Sequence, residues 1–291
     1  SAPAKLVRRF EGVNEWPTYS PDGTRLSYVS ARGTVARAQN RRDTLCILDL
    51  KTARTKDFVT DFRQIYNPLW LSRNSGLIVP AQKRSEDIGL YLFDIETGRF
   101  TLIVQFRYGD LLHHDVAPDG KTLYYARRDK EKDVTEFVAR DLDTGTERLL
   151  HTVTPSEWIR TALSPDGTQL AYINRAEDRV IRVIPTSGGE PRDAVRYRHI
   201  GNHLVQFTWS ADGKYFLVPR IDNPPPPASG WSLWRFRVSD GQGEKILSNC
   251  GRATKTTVHP DGQRIAFASP GAGPQNAELW VVEHYLPENG K

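Results

Sequence analysis

The chain has 291 residues, with 40 Lys and Arg against 35 Asp and Glu, and its net charge of +5 excludes neither acidic nor neutral partners. No run of 18 apolar residues occurs, which excludes a transmembrane helix in this sequence. With 22 Gly and 19 Pro it suits an architecture that turns every few residues.

The first residues, SAPAKLVRRF, contain no hydrophobic stretch that could serve as an export signal. The sequence lacks Met altogether, which points to a processed or trimmed chain, so a tether or export signal in a longer protein stays open. Lys5–Phe10 (KLVRRF) reads as a short strand. After it, one unit recurs six times: YSPDGTRLSY from Tyr19, WLSRNSGLIV from Trp70, VAPDGKTLYY from Val116, LSPDGTQLAY from Leu163, WSADGKYFLV from Trp209 and VHPDGQRIAF from Val258. The turn-glycine position is held by Gly23, Asn74, Gly120, Gly167, Gly213 and Gly262, at steps of 51, 46, 47, 46 and 49 residues. A period of that size marks a repeat architecture. Proline before Asp-Gly presets the entry to its turn and cannot sit inside a ladder. Asn74 keeps the register, because asparagine visits the left-handed region more readily than other non-glycine residues.

Each repeat continues with a second strand, a variable loop, a third strand, a turn and a fourth strand. LYLFDIETGRFTLIV from Leu90 and FVARDLDTGTERLLHTV from Phe137 show the second half most clearly. Their Asp-Xaa-Xaa-Thr-Gly element supplies a side-chain acceptor for turn amides and a glycine for positive φ. Four antiparallel strands per repeat describe a propeller blade. Tyr19, Trp70, Val116, Leu163, Trp209 and Val258 share one position of the innermost strand and are expected to pack blade against blade, not to meet a ligand. The sixth repeat has strands at about Lys255–Val258, Arg264–Ala268 and Glu278–His284 and then lacks a fourth. The N-terminal strand is expected to supply it, which closes the propeller and removes an exposed edge. The expectation is therefore an all-β, six-bladed propeller of four-stranded antiparallel blades forming a single domain, 1–291. Cys46 lies in the strand TLCILDL and Cys250 in a loop before the sixth repeat, giving either two buried thiols or one bridge.

These repeats resemble the TolB-like propeller repeats, also described as WD40-like or Pro-Asp-40 repeats. Pro17–Tyr28 (PTYSPDGTRLSY) fits with Tyr19 in the tryptophan position; Phe207–Leu217 keeps the pair Trp209–Ser210 and departs from proline at Ala211. The tail Phe267–Pro287 (FASPGAGPQNAELWVVEHYLP) is similar to the ends of propeller regions attached to bacterial membrane-bound kinases and winged-helix regulators. That resemblance implies an extracytoplasmic or periplasmic sensory or interaction domain, possessing neither the kinase loops nor a DNA-binding helix pair. Related propellers also precede the hydrolase domains of prolyl-oligopeptidase-like enzymes.

Strand alternation puts the Pro-Asp-Gly and Asp-Xaa-Xaa-Thr-Gly turns on one face, which repeats and reads as structural, and irregular loops on the other, where a site is expected. Loop one, from about Ser30 to Thr44, carries Arg32, Arg37, Arg41 and Arg42 against Asp43, either as a solvated loop or as a grip for an anion. Loop three, Arg127–Thr135, mixes both charge signs. Loop five, Arg220–Gly230, contains Pro224–Pro227, a stiff extended segment that is a spacer or a recognition lip. The channel mouth gathers the candidates for ligand or peptide binding: Asn14, Glu15, Trp16, Tyr66, His113, His114, Trp158, Arg160, His203, Gln206 and Lys255.

No Gly-Xaa-Ser-Xaa-Gly elbow is present, and no catalytic residue, metal ligand set or cofactor is assigned. His113, His114 and Asp115 are adjacent, but successive strand side chains point to opposite faces, so the two imidazoles are not expected to share an ion. The expected function is a non-catalytic module binding a protein or peptide, with a small ligand as a further option. Nucleic acid is not expected, since aromatics do not interleave with the arginines. The alternative is a propeller enzyme such as a metal-dependent polysaccharide lyase with a histidine-containing central site.

Overall fold

The computed structural model describes residues 5–8, 13–31, 41–83, 87–154, 159–174, 180–196, 206–221, 231–248, 254–270 and 277–283. Strand β1 (Lys5–Arg8) comes first. Sheet one follows the chain as β2 (Asn14–Tyr19), β3 (Arg25–Ser30), β4 (Thr44–Asp49) and β5 (Thr55–Val59). Sheet two contains β6 (Gln64–Ile65), β7 (Leu69–Trp70), β8 (Gly76–Gln82), β9 (Ile88–Asp94) and β10 (Phe100–Phe106). Both β6 and β7 pair with β8, so they are two pieces of one first strand. The break falls at Pro68, which has no N–H to give a ladder.

Sheet three is β11 (Leu111–Val116), β12 (Thr122–Asp129), β13 (Val134–Asp141) and β14 (Glu147–Val153). Sheet four is β15 (Ile159–Leu163), β16 (Gln169–Asn174), β17 (Val180–Pro185) and β18 (Arg192–Arg196). Sheet five is β19 (Thr208–Trp209), β20 (Tyr215–Ile221), β21 (Trp231–Arg237) and β22 (Gly243–Ser248). Sheet six is β23 (Thr254–Val258), β24 (Arg264–Pro270) and β25 (Ala277–Glu283), completed by β1 in the order β1-β25-β24-β23. Lys5 pairs with Val281 and Leu6 with Trp280, antiparallel. The fold is the all-β, six-bladed propeller expected, with its last blade completed by the N-terminal strand. No described helix is long and apolar enough to cross a membrane.

The repeated turns hold themselves together. Ser20 Oγ donates to Asp22 Oδ1 at 2.6 Å and accepts from the Arg25 N–H at 2.9 Å. Ser164 with Asp166 and Ser210 with Asp212 repeat this at 2.5 Å. Asn74 has φ 56°, close to the φ of 70° at Gly23, so asparagine does take the glycine position. In the second turn type Asp94 accepts from the Thr97 N–H and hydroxyl at 2.8 and 2.9 Å, and Asp141 from those of Thr144 at 2.7 and 2.9 Å. These donors hold both carboxyls below the ordinary range. Because the folded pKa lies below the unfolded one, the stabilisation is complete above about pH 4 and disappears as pH falls through the folded values. Acid titration followed by circular dichroism is expected to show stability falling below about pH 4, and Asp94→Ala/Asp141→Ala is expected to flatten that limb. An identical limb in the double variant would contradict this origin.

Contacts divide the chain into two compact units. The first comprises residues 1–105, 219–234 and 245–291. Its core includes Val29, Leu45, Phe62, Ile65, Trp70, Leu77 and Phe93 between sheets one and two, and Tyr19, Leu26, Tyr28, Cys46, Ala266 and Leu279 between sheets one and six. The second comprises residues 106–218 and 235–244, with Leu112, Tyr124, Phe137, Ile159, Leu170 and Tyr172 in its core. Trp70 Nε1 donates to the Thr18 carbonyl at 3.0 Å in the first unit, and Trp209 Nε1 to the Ala162 carbonyl at 2.8 Å in the second. Both indoles are buried and tie one blade to its neighbour, as expected of the shared core position. Val116, Leu163 and Val258 are only partly buried there. Cys46 is fully buried, with Sγ 3.7 Å from the Thr44 carbonyl; Cys250 lies outside the described residues.

Two loop expectations change. Arg41 is neither solvated nor offered to a ligand: it is 7% exposed, and its Nε and Nη2 donate to Asp43 Oδ1 and Oδ2 at 2.7 and 3.0 Å. Arg42 is exposed, while Arg32 and Arg37 lie outside the described residues, as do Pro224–Pro227. The segment expected as loop three is mostly strand, since β12 runs to Asp129 and β13 starts at Val134. Cross-strand charge pairing extends the ladder: Arg127 Nε meets Glu136 Oε2 at 2.8 Å and Nη1 meets Glu147 Oε2 at 3.0 Å.

Candidate functional site

The end of each first strand opposite the repeated turns is where the blades differ. Three residues before the shared core position stand Trp16, Asn67, His113, Arg160, Gln206 and Lys255, one per repeat. The backbone is irregular there as well. Register slips between Glu15 and Thr18 in β2, between Leu111 and His113 in β11, and between Thr254 and Thr257 in β23. Bulges of this kind re-aim side chains. Trp16 and Lys255 both have φ 57°, a left-handed backbone that bulky residues adopt only under constraint.

In the first unit β2 lies beside β23. The Lys255 ammonium sits 3.8 Å from the centroid of the Trp16 ring and 2.5 Å from Glu15 Oε2. Aromatic face, cation and carboxylate thus stack on adjacent strands, with the Lys255 and Glu15 side chains 13% and 27% exposed. A cation on an indole face gains more as water is excluded. Tyr66 is half-buried in the break between β6 and β7, where its N–H donates to the Pro80 carbonyl at 2.9 Å. Asn14 is fully buried opposite Ser30 in the ladder, so its side chain belongs to the interior.

In the second unit β11 packs on β15. Thr161 Oγ1 donates to Asp115 Oδ2 at 2.7 Å and lies 2.9 Å from His113 Nδ1. The hydroxyl has one proton and gives it to the carboxylate, so His113 Nδ1 is the donor in its own contact. This fixes the neutral ring as the Nδ1–H form and leaves Nε2 as an acceptor. His114 is 4% exposed and faces the interior, with its ring centroid 6.1 Å from that of His113. Arg160 is partly exposed, but its Nε is buried with no acceptor. Burial pushes its pKa down. Gln206 is partly exposed ahead of β19.

Of the eleven expected site residues, then, the structure brings together Glu15, Trp16 and Lys255, and it separately places His113 and Arg160 on neighbouring strands. Trp158 and His203 lie outside the described residues. Sequence reasoning missed Thr161, which joins His113 to Asp115; only its position next to Arg160 on the same strand could have pointed to it. Among the described residues no group of three or more His, Cys, Asp or Glu side chains is placed to hold a metal ion.

No protein-family model matches the sequence, and no curated protein matches it. Solved structures do. TolB from Acinetobacter baumannii superposes with a TM-score of 0.67 at 17% identity, over 94% of this chain and 61% of that one. This chain therefore spans 61% of the length of that TolB. A protein designated TolB from Agrobacterium tumefaciens gives 0.64 at 16% identity, over 98% and 94% of the two chains. An oligogalacturonate lyase from Vibrio parahaemolyticus gives 0.63 at 13% identity, over 99% and 94%. At these identities the likeness establishes the propeller fold.

Proposed function

We propose that this propeller is a non-catalytic protein-interaction or sensory domain, working outside the cytoplasm as part of a bacterial membrane or envelope protein. The observation that carries the reading is the contrast between its two strand ends. The Pro-Asp-Gly ends repeat one hydrogen-bonding scheme, whereas the opposite ends present a different side chain in each repeat, two of them on a backbone with φ 57°. Such strain costs about 1–3 kcal/mol per residue and concentrates at binding sites. The partner is a protein or peptide, recognised by side chains of both charge signs and an aromatic face. Nucleic acid fits poorly: Arg41 is consumed by Asp43, and Arg127 by Glu136 and Glu147. The repeat resemblance and the fold shared with TolB structures support an envelope setting, and the resemblance of the tail supports a tether in a longer protein.

Photo-crosslinking tests this reading. With a photoreactive residue in the full-length protein in its native cells, position 66 is expected to give a discrete protein adduct, and position 143, on an exposed repeated turn, none. No adduct at position 66, or equal adducts at both, would contradict it.

One observation favours a second reading. The Asp115–Thr161–His113 chain presents Nε2 of a ring in a fixed tautomer, which is how a general base is held. An oligogalacturonate lyase shares the fold. Purified protein supplied with oligogalacturonate and divalent ions would show turnover abolished by His113→Ala under this reading, and none under the leading one.

A further inference from the structure

We propose that Arg160 anchors a carboxylate of the bound peptide, in a site on the β19 side of β15; this rests on the interaction reading above. Thr161 turns its hydroxyl to β11, where it meets His113 and Asp115. Strand alternation then puts the Arg160 side chain on the opposite face of β15, toward β19, which also packs on β15. Two other enclosed cations each have a carboxylate: Arg41 meets Asp43 at 2.7 Å and Lys255 meets Glu15 at 2.5 Å. Arg160 differs. Its Nε is sealed from solvent without an acceptor, and no carboxylate among the described residues offsets its burial. A guanidinium in that state is a standing cost unless an anion completes it. Its planar fork matches a carboxylate through two parallel hydrogen bonds. Ile159, Thr161 and Thr208 add no second positive charge nearby in β15 or β19, so one unit of negative charge is neutralised, which suits a carboxylate better than a phosphate dianion.

The test uses acetylated, amidated hexaglutamate, its hexaglutamine counterpart, succinate and inorganic phosphate as calorimetric probes, with wild-type protein and Arg160→Met. Hexaglutamate is expected to bind the wild type saturably and the variant at least about tenfold more weakly, the worth of a charged hydrogen-bonded pair. Hexaglutamine and phosphate are expected to bind neither protein. Ligand-free Arg160→Met is expected to melt no lower than wild type, because it removes a cation whose Nε is sealed from solvent without an acceptor. Equal hexaglutamate affinity in both proteins, or a lower melting temperature of the ligand-free variant, would overturn the proposal. A photoreactive residue at position 206, ahead of β19 in the same unit as Arg160, whose protein adduct forms equally well in Arg160→Met would overturn it while leaving the interaction reading intact. Succinate binding that depends on Arg160, with no adduct at position 66, would keep the anion site and remove the interaction reading.

Discussion

Removing residues 1–10 is expected to lower the melting temperature by roughly 5–10 °C, far more than trimming a frayed end. Strand β1 is the outer strand of sheet six, paired with β25 from Lys5 to Arg8. Without it the Val281, Trp280 and Leu279 backbone loses its ladder partner and becomes an open edge. Lost hydrogen bonds contribute about 1 kcal/mol each, and an exposed edge invites pairing with another chain. The truncated protein should therefore both melt earlier and associate more, as read by calorimetry and by light scattering. Melting unchanged within a degree or so would show that β1 contributes nothing to the last blade.

The second large effect is at Asp43. This residue is fully buried and accepts from Arg41 Nε and Nη2 and from the Ile65 N–H, the last at 2.8 Å. Its own carbonyl accepts from Thr60 Oγ1 at 2.7 Å. One side chain thus fixes the entry to β4 and, through Ile65, the first strand of sheet two. Asp43→Ala leaves the buried Arg41 guanidinium without its carboxylate, and is expected to cost about 3–5 kcal/mol. Arg41→Met/Asp43→Leu removes both charges and is expected to recover most of that loss, because a buried pair is worth little more than well-packed apolar groups. Chemical denaturation of the single and double variants separates the two cases. A mild effect of Asp43→Ala would mean that water, rather than Asp43, satisfies Arg41.

The fold was legible because its signals are local. Pro-Asp-Gly and Asp-Xaa-Xaa-Thr-Gly turns encode their own hydrogen bonds, and Asn74 in place of glycine marked the register correctly. The missing outer strand of blade six could be assigned by counting. The site was legible only as a neighbourhood. A bulge that turns Trp16 and Lys255 to positive φ leaves no mark in a strand of ordinary composition, yet it puts the ammonium on the indole face. Arg41 read as part of a solvated or anion-gripping loop because its bidentate contact with Asp43, two residues away, depends on burial that composition does not carry. For the same reason Asn14 and His114 read as site residues although the fold encloses them. Loop three failed on a different ground: the strands run into it from both sides, and its first charge, Arg127, pairs with Glu136 and Glu147 of the same sheet.

On the proposed reading, the irregular first-strand ends bind and the repeated turns do not. Calorimetric titration of the partner captured at position 66 tests it most directly, comparing Trp16→Ala and Lys255→Ala with Thr144→Ala on a repeated turn. Affinity is expected to be at least about tenfold weaker for the first two, the effect of losing a desolvated cation–aromatic contact, and unchanged for the third. Wild-type affinity in both first-strand variants, or a loss confined to Thr144→Ala, would contradict it.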